Sequence, residues 1–158
     1  MHIRTHQWAR HAAAISSLGL IVFMGSVGSP ALAAKKNVCA MLSTSALRSW
    51  WGEDLHVDSP AMDIPQSDSC HWIAAPGKTG SLMVQIVPPR YYPESESKHL
   101  NGFKRLSGIG EKAFVAPRLG GWTAAALKGT KVVTVWTNGG KTNSGTAVSI
   151  VKTLVQQL

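Results

Sequence analysis

The succession of turn signals and hydrophobic periodicities in residues 34–158 predicts an α+β fold. It consists of an antiparallel β-sheet of about five strands with N- and C-terminal helices packed on one face. Three observations lead there. Strand-like runs are joined by short turns, as at Pro76–Gly80 and Gly129-Thr130, without regular strand–helix alternation. A cappable amphipathic segment follows Cys39. A second one closes the chain, with Ala147, Ile150, Val151, Leu154, Val155 and Leu158 at three- and four-residue steps.

Residues 1–33 have the layout of a secretory signal peptide. Arg4 and Arg10 precede the apolar run Ala12–Val27, and Pro30-Ala31-Leu32-Ala33 places small residues at −3 and −1. Cleavage is expected after Ala33, with Ala34 the alternative. The run is too short and too rich in Ser and Gly for a permanent span, which needs about 20 apolar residues. No stable membrane span is therefore expected after cleavage, and 34–158 is expected to be a single extracytoplasmic domain, periplasmic or secreted.

Within that domain, Ser43 or Thr44 can cap a helix that aligns Ala46, Leu47, Trp50 and Trp51, with Gly52 just past its end. The polar stretch from Glu53 to Asp68 reads as loop. Cys70–Ala75 and a run bearing Leu82, Val84 and Ile86 flank the turn at Pro76–Gly80 and read as a hairpin. Pro93 can start a helix presenting Leu100, Phe103 and Leu106 before Gly108-Ile109-Gly110. A strand follows at Lys112–Ala116. A hairpin then joins Trp122–Lys128 to Lys131–Thr137, before the last helix. Gly108 and Gly110 suit positive backbone angles, and Ala113 is small enough to lie under a neighbouring element.

The chain carries a net charge of +8, which falls to about +6 once Arg4 and Arg10 leave with the leader. Outside the cytoplasm a basic surface selects an envelope protein or an anionic polymer or lipid as partner, and not nucleic acid. Cys39 and Cys70 are the two cysteines, and an even count in an oxidising compartment predicts one disulfide. No Cys-x-x-Cys or haem-attachment motif occurs. His56, His71 and His99 are scattered without a metal-ligand spacing, so no cofactor and no metal are expected.

One motif invites a stronger reading than it supports. Thr137–Thr142 resembles the end of a phosphate-binding loop, but Val135 stands where that loop needs glycine, and the chain ends one helix later. What survives is a small-anion site at the free N–H groups of Thr142–Gly145 beside Lys141. For catalysis there is no Gly-x-Ser-x-Gly, Ser-x-x-Lys or His-Glu-x-x-His, so no catalytic residue is named. The aromatic residues are the better binding candidates. Trp122 and Trp136 would form a platform if both fall on the sheet face away from the helices, and Tyr91-Tyr92 sit in a loop between prolines.

Cys39-Ala-Met-Leu-Ser-Thr44, a helix ending at Gly52 and Cys70-His-Trp72 on the next strand together resemble the start of small exported domains in bacterial lipoprotein families of unknown function. Gly108-Ile-Gly-Glu-Lys-Ala113 is similar to their glycine-rich turn before a strand, and the closing hairpin and helix fit as well. The resemblance covers most of residues 38–158. It implies a disulfide between the first helix and the sheet, and a curved antiparallel sheet like that of the PsbP-type fold. It supplies no catalytic residues. Lys36-Asn37-Val38 before Cys39 lacks a lipidation pattern, so the tether of the lipoprotein members is not carried over.

The functional expectation is thus a non-enzymatic binding module that uses Tyr91, Tyr92, Trp122, Trp136 and Lys141. Two alternatives come from other classes. An envelope hydrolase or metal-dependent enzyme would pair His71 with Asp68 across a cleft. A carrier would hold a small hydrophobic ligand in a cavity lined by Leu82, Ile86 and Val151. The leader makes one prediction: intact-mass measurement of the exported protein should give a chain starting at Ala34 or Lys35, and an uncut chain would contradict the leader reading.

Overall fold

The computed structural model describes residues 37–59 and 67–158; the expected leader and its cleavage site lie outside the described residues. A 3-10 turn at Val38–Ala40 leads into helix α1, Thr44–Trp51. Ser43 caps α1, its hydroxyl accepting from the Ala46 N–H at 3.2 Å. Gly52 ends it at φ 76°, a left-handed angle that costs glycine little, and donates its N–H to the Arg48 carbonyl. Leu47 and Trp51 are buried one turn apart on the helix.

Seven strands follow: β1 Leu55–Ser59, β2 Asp68–Ala74, β3 Gly80–Val87, β4 Lys104–Leu106, β5 Lys112–Arg118, β6 Gly121–Lys128 and β7 Lys131–Gly139. They form one antiparallel sheet in the order β1-β2-β3-β7-β6-β5-β4. The chain is therefore α+β with an antiparallel sheet, as expected, but with two strands more than the sequence indicated. β1 lies in the stretch read as loop: it is short, has a register irregularity between Val57 and Ser59, and buries only Leu55 among its first four residues. β4 lies where a helix through Leu106 was expected. That helix, α2, covers only Glu94–Ser97. Asn101-Gly102 then forms a turn, with Gly102 at φ 93° and the Phe103 N–H bonded to the Leu100 carbonyl, so the chain re-enters the sheet.

The turns explain the local register. In Ala75-Pro76-Gly77-Lys78, proline presets the first central angle, Gly77 takes φ 83°, and the Lys78 N–H closes onto the Ala75 carbonyl. Gly129 (φ 56°) and Thr130 join β6 to β7 with Lys128 opposite Lys131. Gly110 sits so close to β6 that a Cβ there would lie 2.2 Å from the Leu127 carbonyl oxygen, which is why this turn needs glycine.

Alternation along the strands creates two unequal faces. One contributes Cys70, Trp72, Leu82, Val84, Val135, Ala124, Ala126, Ala113 and Val115 to the main core. The same core holds Leu47 and Trp51 of α1, and Ala147, Ile150, Val151, Leu154 and Val155 of helix α3, Ser144–Gln156. Ala113, Ala124 and Ala126 on β5–β6 leave room for α3 to approach, and Ala147 on the helix is small as well. The Cys39–Cys70 disulfide, Cα–Cα 5.2 Å, ties the 3-10 turn to β2. Both ends of α3 are secured. Asn143 and Thr146 form a reciprocal capping box, and the Lys128 ammonium reaches the Val155 carbonyl at 2.8 Å.

The opposite face has a smaller core of Phe114, Ala116 and Ala125. The segment between β3 and β4 supplies its cover, with Tyr92 and Phe103 packed on Phe114 at ring distances of 5.7 and 5.3 Å. Arg105 on β4 holds Glu94 of that segment at 2.8 Å. Among the described residues no helix is long and apolar enough to cross a membrane.

Two stability predictions follow from the packing. The buried Thr123 hydroxyl has no hydrogen-bond partner among the described residues, so Thr123→Val should stabilise the fold by about 1 kcal/mol in urea unfolding; a clear loss would mean the hydroxyl is partnered. Replacing Cys39 and Cys70 together by serine should cost about 3–4 kcal/mol, for a crosslink spanning 31 residues. A change under about 1 kcal/mol would contradict that estimate of the loop-closure entropy.

Candidate functional site

The cover leaves part of the second face open beside the β5–β6 hairpin. By register, His71, Met83, Trp136, Thr123 and Ala116 form one row across β2, β3, β7, β6 and β5. The next row outward contains Ser81, Asn138, Gly121 and Arg118. Between these rows lies a groove of about 460 Å³ whose lining includes His71, Met83, Arg118, Leu119, Trp136 and Asn138. On the other side of the hairpin a second hollow of about 610 Å³ is lined by Glu96, Leu100, Pro117 and the same Arg118 and Leu119. The hairpin tip is a ridge between two hollows.

That tip is unusual in conformation and in chemistry. Arg118 pairs with Gly121, leaving the two-residue turn Leu119-Gly120 with φ of 44° and 80°. Positive angles at both positions favour Asn-Gly, and leucine there pays the steric cost of a left-handed backbone. Leu119 is the sole non-glycine with positive φ among the described residues, and its side chain is 89% exposed. Strain and apolar exposure thus coincide at one residue. The residue after the turn must be glycine, because a Cβ at position 121 would collide with the Thr137 carbonyl.

Arg118 places its guanidinium 6.0 Å from the Trp136 ring centroid, a cation–π contact. Among the described residues it has no carboxylate partner, in contrast to Arg48 with Asp54 and Arg105 with Glu94. On the exposed surface the Arg48–Asp54 pair raises the arginine and lowers the aspartate pKa, the hydrogen bond between them being the largest cause. His71 Nδ1 lies 3.3 Å from Asp58 Oδ2, at the β1 side of the groove. Asp68 is an odd number of residues from His71 on the same strand and faces the other way, so β2 does not bring these two together in one cleft.

The residues singled out in the sequence are placed apart. Trp136 is half-buried in the groove. Trp122 lies opposite Thr137 on the main-core face, packs against that core and reaches the groove only at the strand end. The two tryptophans alternate out of phase and form no joint platform. Tyr91 is 45% exposed at the end of a 3-10 turn, Pro89–Tyr91, with Arg90 4.9 Å from its ring centroid. Tyr92 instead packs edge-on against Phe114. Lys141 is exposed and lays its alkyl chain beside Gly52 at the end of α1. Of the N–H groups offered for an anion, those of Thr142 and Asn143 already bond to Gly139 and Thr146. Leu82, Ile86 and Val151 are buried members of the main core. Among the described residues no group of three His, Cys, Asp or Glu side chains could hold a metal ion.

Sequence reasoning missed Arg118, Leu119 and Met83. One signal was available: Pro117-Arg-Leu-Gly-Gly121 joins two strands with leucine where a tight hairpin favours asparagine or glycine. Comparison of the chain with family models, with curated proteins and with solved structures finds no match.

Two expectations test this geometry. Leu119→Asn should raise unfolding stability by about 1 kcal/mol by relieving the left-handed leucine; a loss of stability would show that the side chain is instead part of the fold. Burial, reinforced by the Glu94 carboxylate and opposed by Arg105, pushes the Tyr92 phenol up to about 12. Its neutral form is thus favoured in the folded state, so the associated stability is complete below pH about 10 and lost as pH rises towards 12. Ultraviolet titration should show a late phenolate step that Tyr92→Phe removes; its survival in that variant would contradict the assignment.

Proposed function

We propose that residues 34–158 are a non-enzymatic binding module working outside the cytoplasm, in the periplasm or beyond. Its partner is an envelope protein or an anionic component of the envelope. It is kin, on this reading, to the small exported lipoprotein-like domains that its motifs resemble. The first and last helices back one face of the sheet, and the other face carries the contact surface at the β5–β6 hairpin tip and its groove.

One observation carries the reading: a strained, 89% exposed leucine stands beside an arginine that has no carboxylate partner among the described residues, on the ridge between two hollows. Exposed apolar side chains are common, but a sequence rarely keeps one at a backbone angle that Asn or Gly would occupy at lower cost. Retention of the costlier residue is explained if the side chain is used in contact. The net charge of about +6 that residues 34–158 keep agrees with an anionic partner. The disulfide agrees with an oxidising compartment.

The test is position-specific photo-crosslinking in the native envelope. A photoreactive residue at position 119 should give a discrete adduct, and the same residue at exposed Ser149 on α3 should not. Equal yields from both positions, or none from 119, would contradict the proposal.

A further inference from the structure

The groove's chemistry narrows what it binds, on the reading that the hairpin face is the contact surface. The geometry points to an aliphatic monocarboxylate: one anionic head against Arg118, with an unbranched apolar body along Met83, Leu119 and Trp136.

Charge complementarity selects the head. Arg118 is a cation in the lining without a carboxylate partner among the described residues, and its guanidinium can still present a fork of N–H donors while it lies against Trp136. Such a fork matches a carboxylate bidentately. The other basic group in the lining, His71, has Asp58 at 3.3 Å, so its vicinity already holds an acid. One free cation among the described lining residues favours a single negative charge over a polyanion.

The walls select the body. Met83 is a flexible, polarisable surface, and Leu119 adds a flank that is almost fully exposed when nothing covers it. A volume of about 460 Å³ lies within the range of small-molecule sites, and the groove is open to solvent, so a chain can lie in it.

Two competing ligand classes fit less well. An extended peptide gains affinity by adding a strand to an open edge, but beneath the groove only the end of β5 beyond its pairing with β4 offers one, three residues at Ala116–Arg118 that include Pro117, which has no N–H to donate. A sugar ring needs a clear aromatic face, and Arg118 lies over Trp136.

The experiment uses the mature protein and titrates decanoate, below its micelle concentration, against tryptophan fluorescence and calorimetry. Decan-1-ol serves as the uncharged match, and a tripeptide ending in a free leucine carboxylate as the peptide arm. Decanoate should bind saturably at one site and at least tenfold more tightly than decanol. Arg118→Gln should weaken decanoate at least tenfold and leave decanol unchanged, while Arg118→Lys, which keeps the charge but loses the fork, should fall between. Because Arg118 is exposed, unchanged thermal unfolding of these variants is expected and checks their folding.

Equal affinity for decanoate and decanol, indifference to Arg118→Gln, or preference for the tripeptide would overturn the inference. Absence of decanoate binding, together with crosslinking from position 119, would overturn the ligand class and leave the contact surface standing. Absence of both would overturn the two together.

Discussion

The pairing of β3 with β7 is the constraint on which the rest of the structure depends. Strands β1–β3 form one hairpin series and β4–β7 another. Among the described residues, the ladder from Gly80↔Gly139 to Val87↔Val132 is the one strand pairing that joins them. It spans a long sequence separation, so its loop-closure entropy must be met by burial on both faces. Val84 and Val135 pack on one side, and Val87 and Val132 are buried on the other. The ladder also builds the site. Met83 comes from the first series and Trp136, Arg118 and Leu119 from the second, and neither series alone would enclose a groove.

Its upper end imposes a further condition. Gly80 and Gly139 face each other so closely that a Cβ at Gly139 would lie 2.8 Å from the Thr79 carbonyl oxygen, and Trp51 fills the space beside Gly80 and Gly140. Helix α1, the β2–β3 turn and the exit from β7 are thereby locked to one another. The disulfide adds a second link between the N-terminal turn and β2, and Gln157 donates to the Met41 carbonyl at 3.0 Å, joining residues 116 apart in sequence. A rigid scaffold of this kind can carry a strained loop tip, since the surrounding ladder holds the backbone at an angle that leucine alone would leave.

Local chemistry was legible in the sequence where a single element determines it. The Ser43 cap, the Gly52 terminus, the turn at Pro76-Gly77, the hairpin at Gly129 and the stripe of α3 each depend on residues within one or two turns of chain. Positive φ at Gly108 and Gly110, and burial of Ala113 in the main core, follow from the same reasoning. Edge elements were not legible. β1 buries little and β4 has three residues, so neither shows a full period-2 pattern. Leu100, Phe103 and Leu106 have helical spacing, yet Leu100 is exposed, Phe103 caps the smaller core and Leu106 joins the larger. The site was illegible for a similar reason. Whether Trp122 and Trp136 share a face depends on the β6–β7 register, and the partner of Arg118 depends on how a nonlocal ladder curls.

The central claim is that the open half of the second sheet face, and not the face that bears the main core, makes the contact. The indole N–H signals in a proton–nitrogen correlation spectrum read this directly, because the tryptophans are distributed between the two. Trp51 and Trp72 lie in the main core, Trp136 in the groove and Trp122 at its end. On addition of a native envelope extract, the Trp136 signal should move most, Trp122 less, and Trp51 and Trp72 stay in place. Movement centred on Trp50 or Trp51 with Trp136 unchanged would contradict the account.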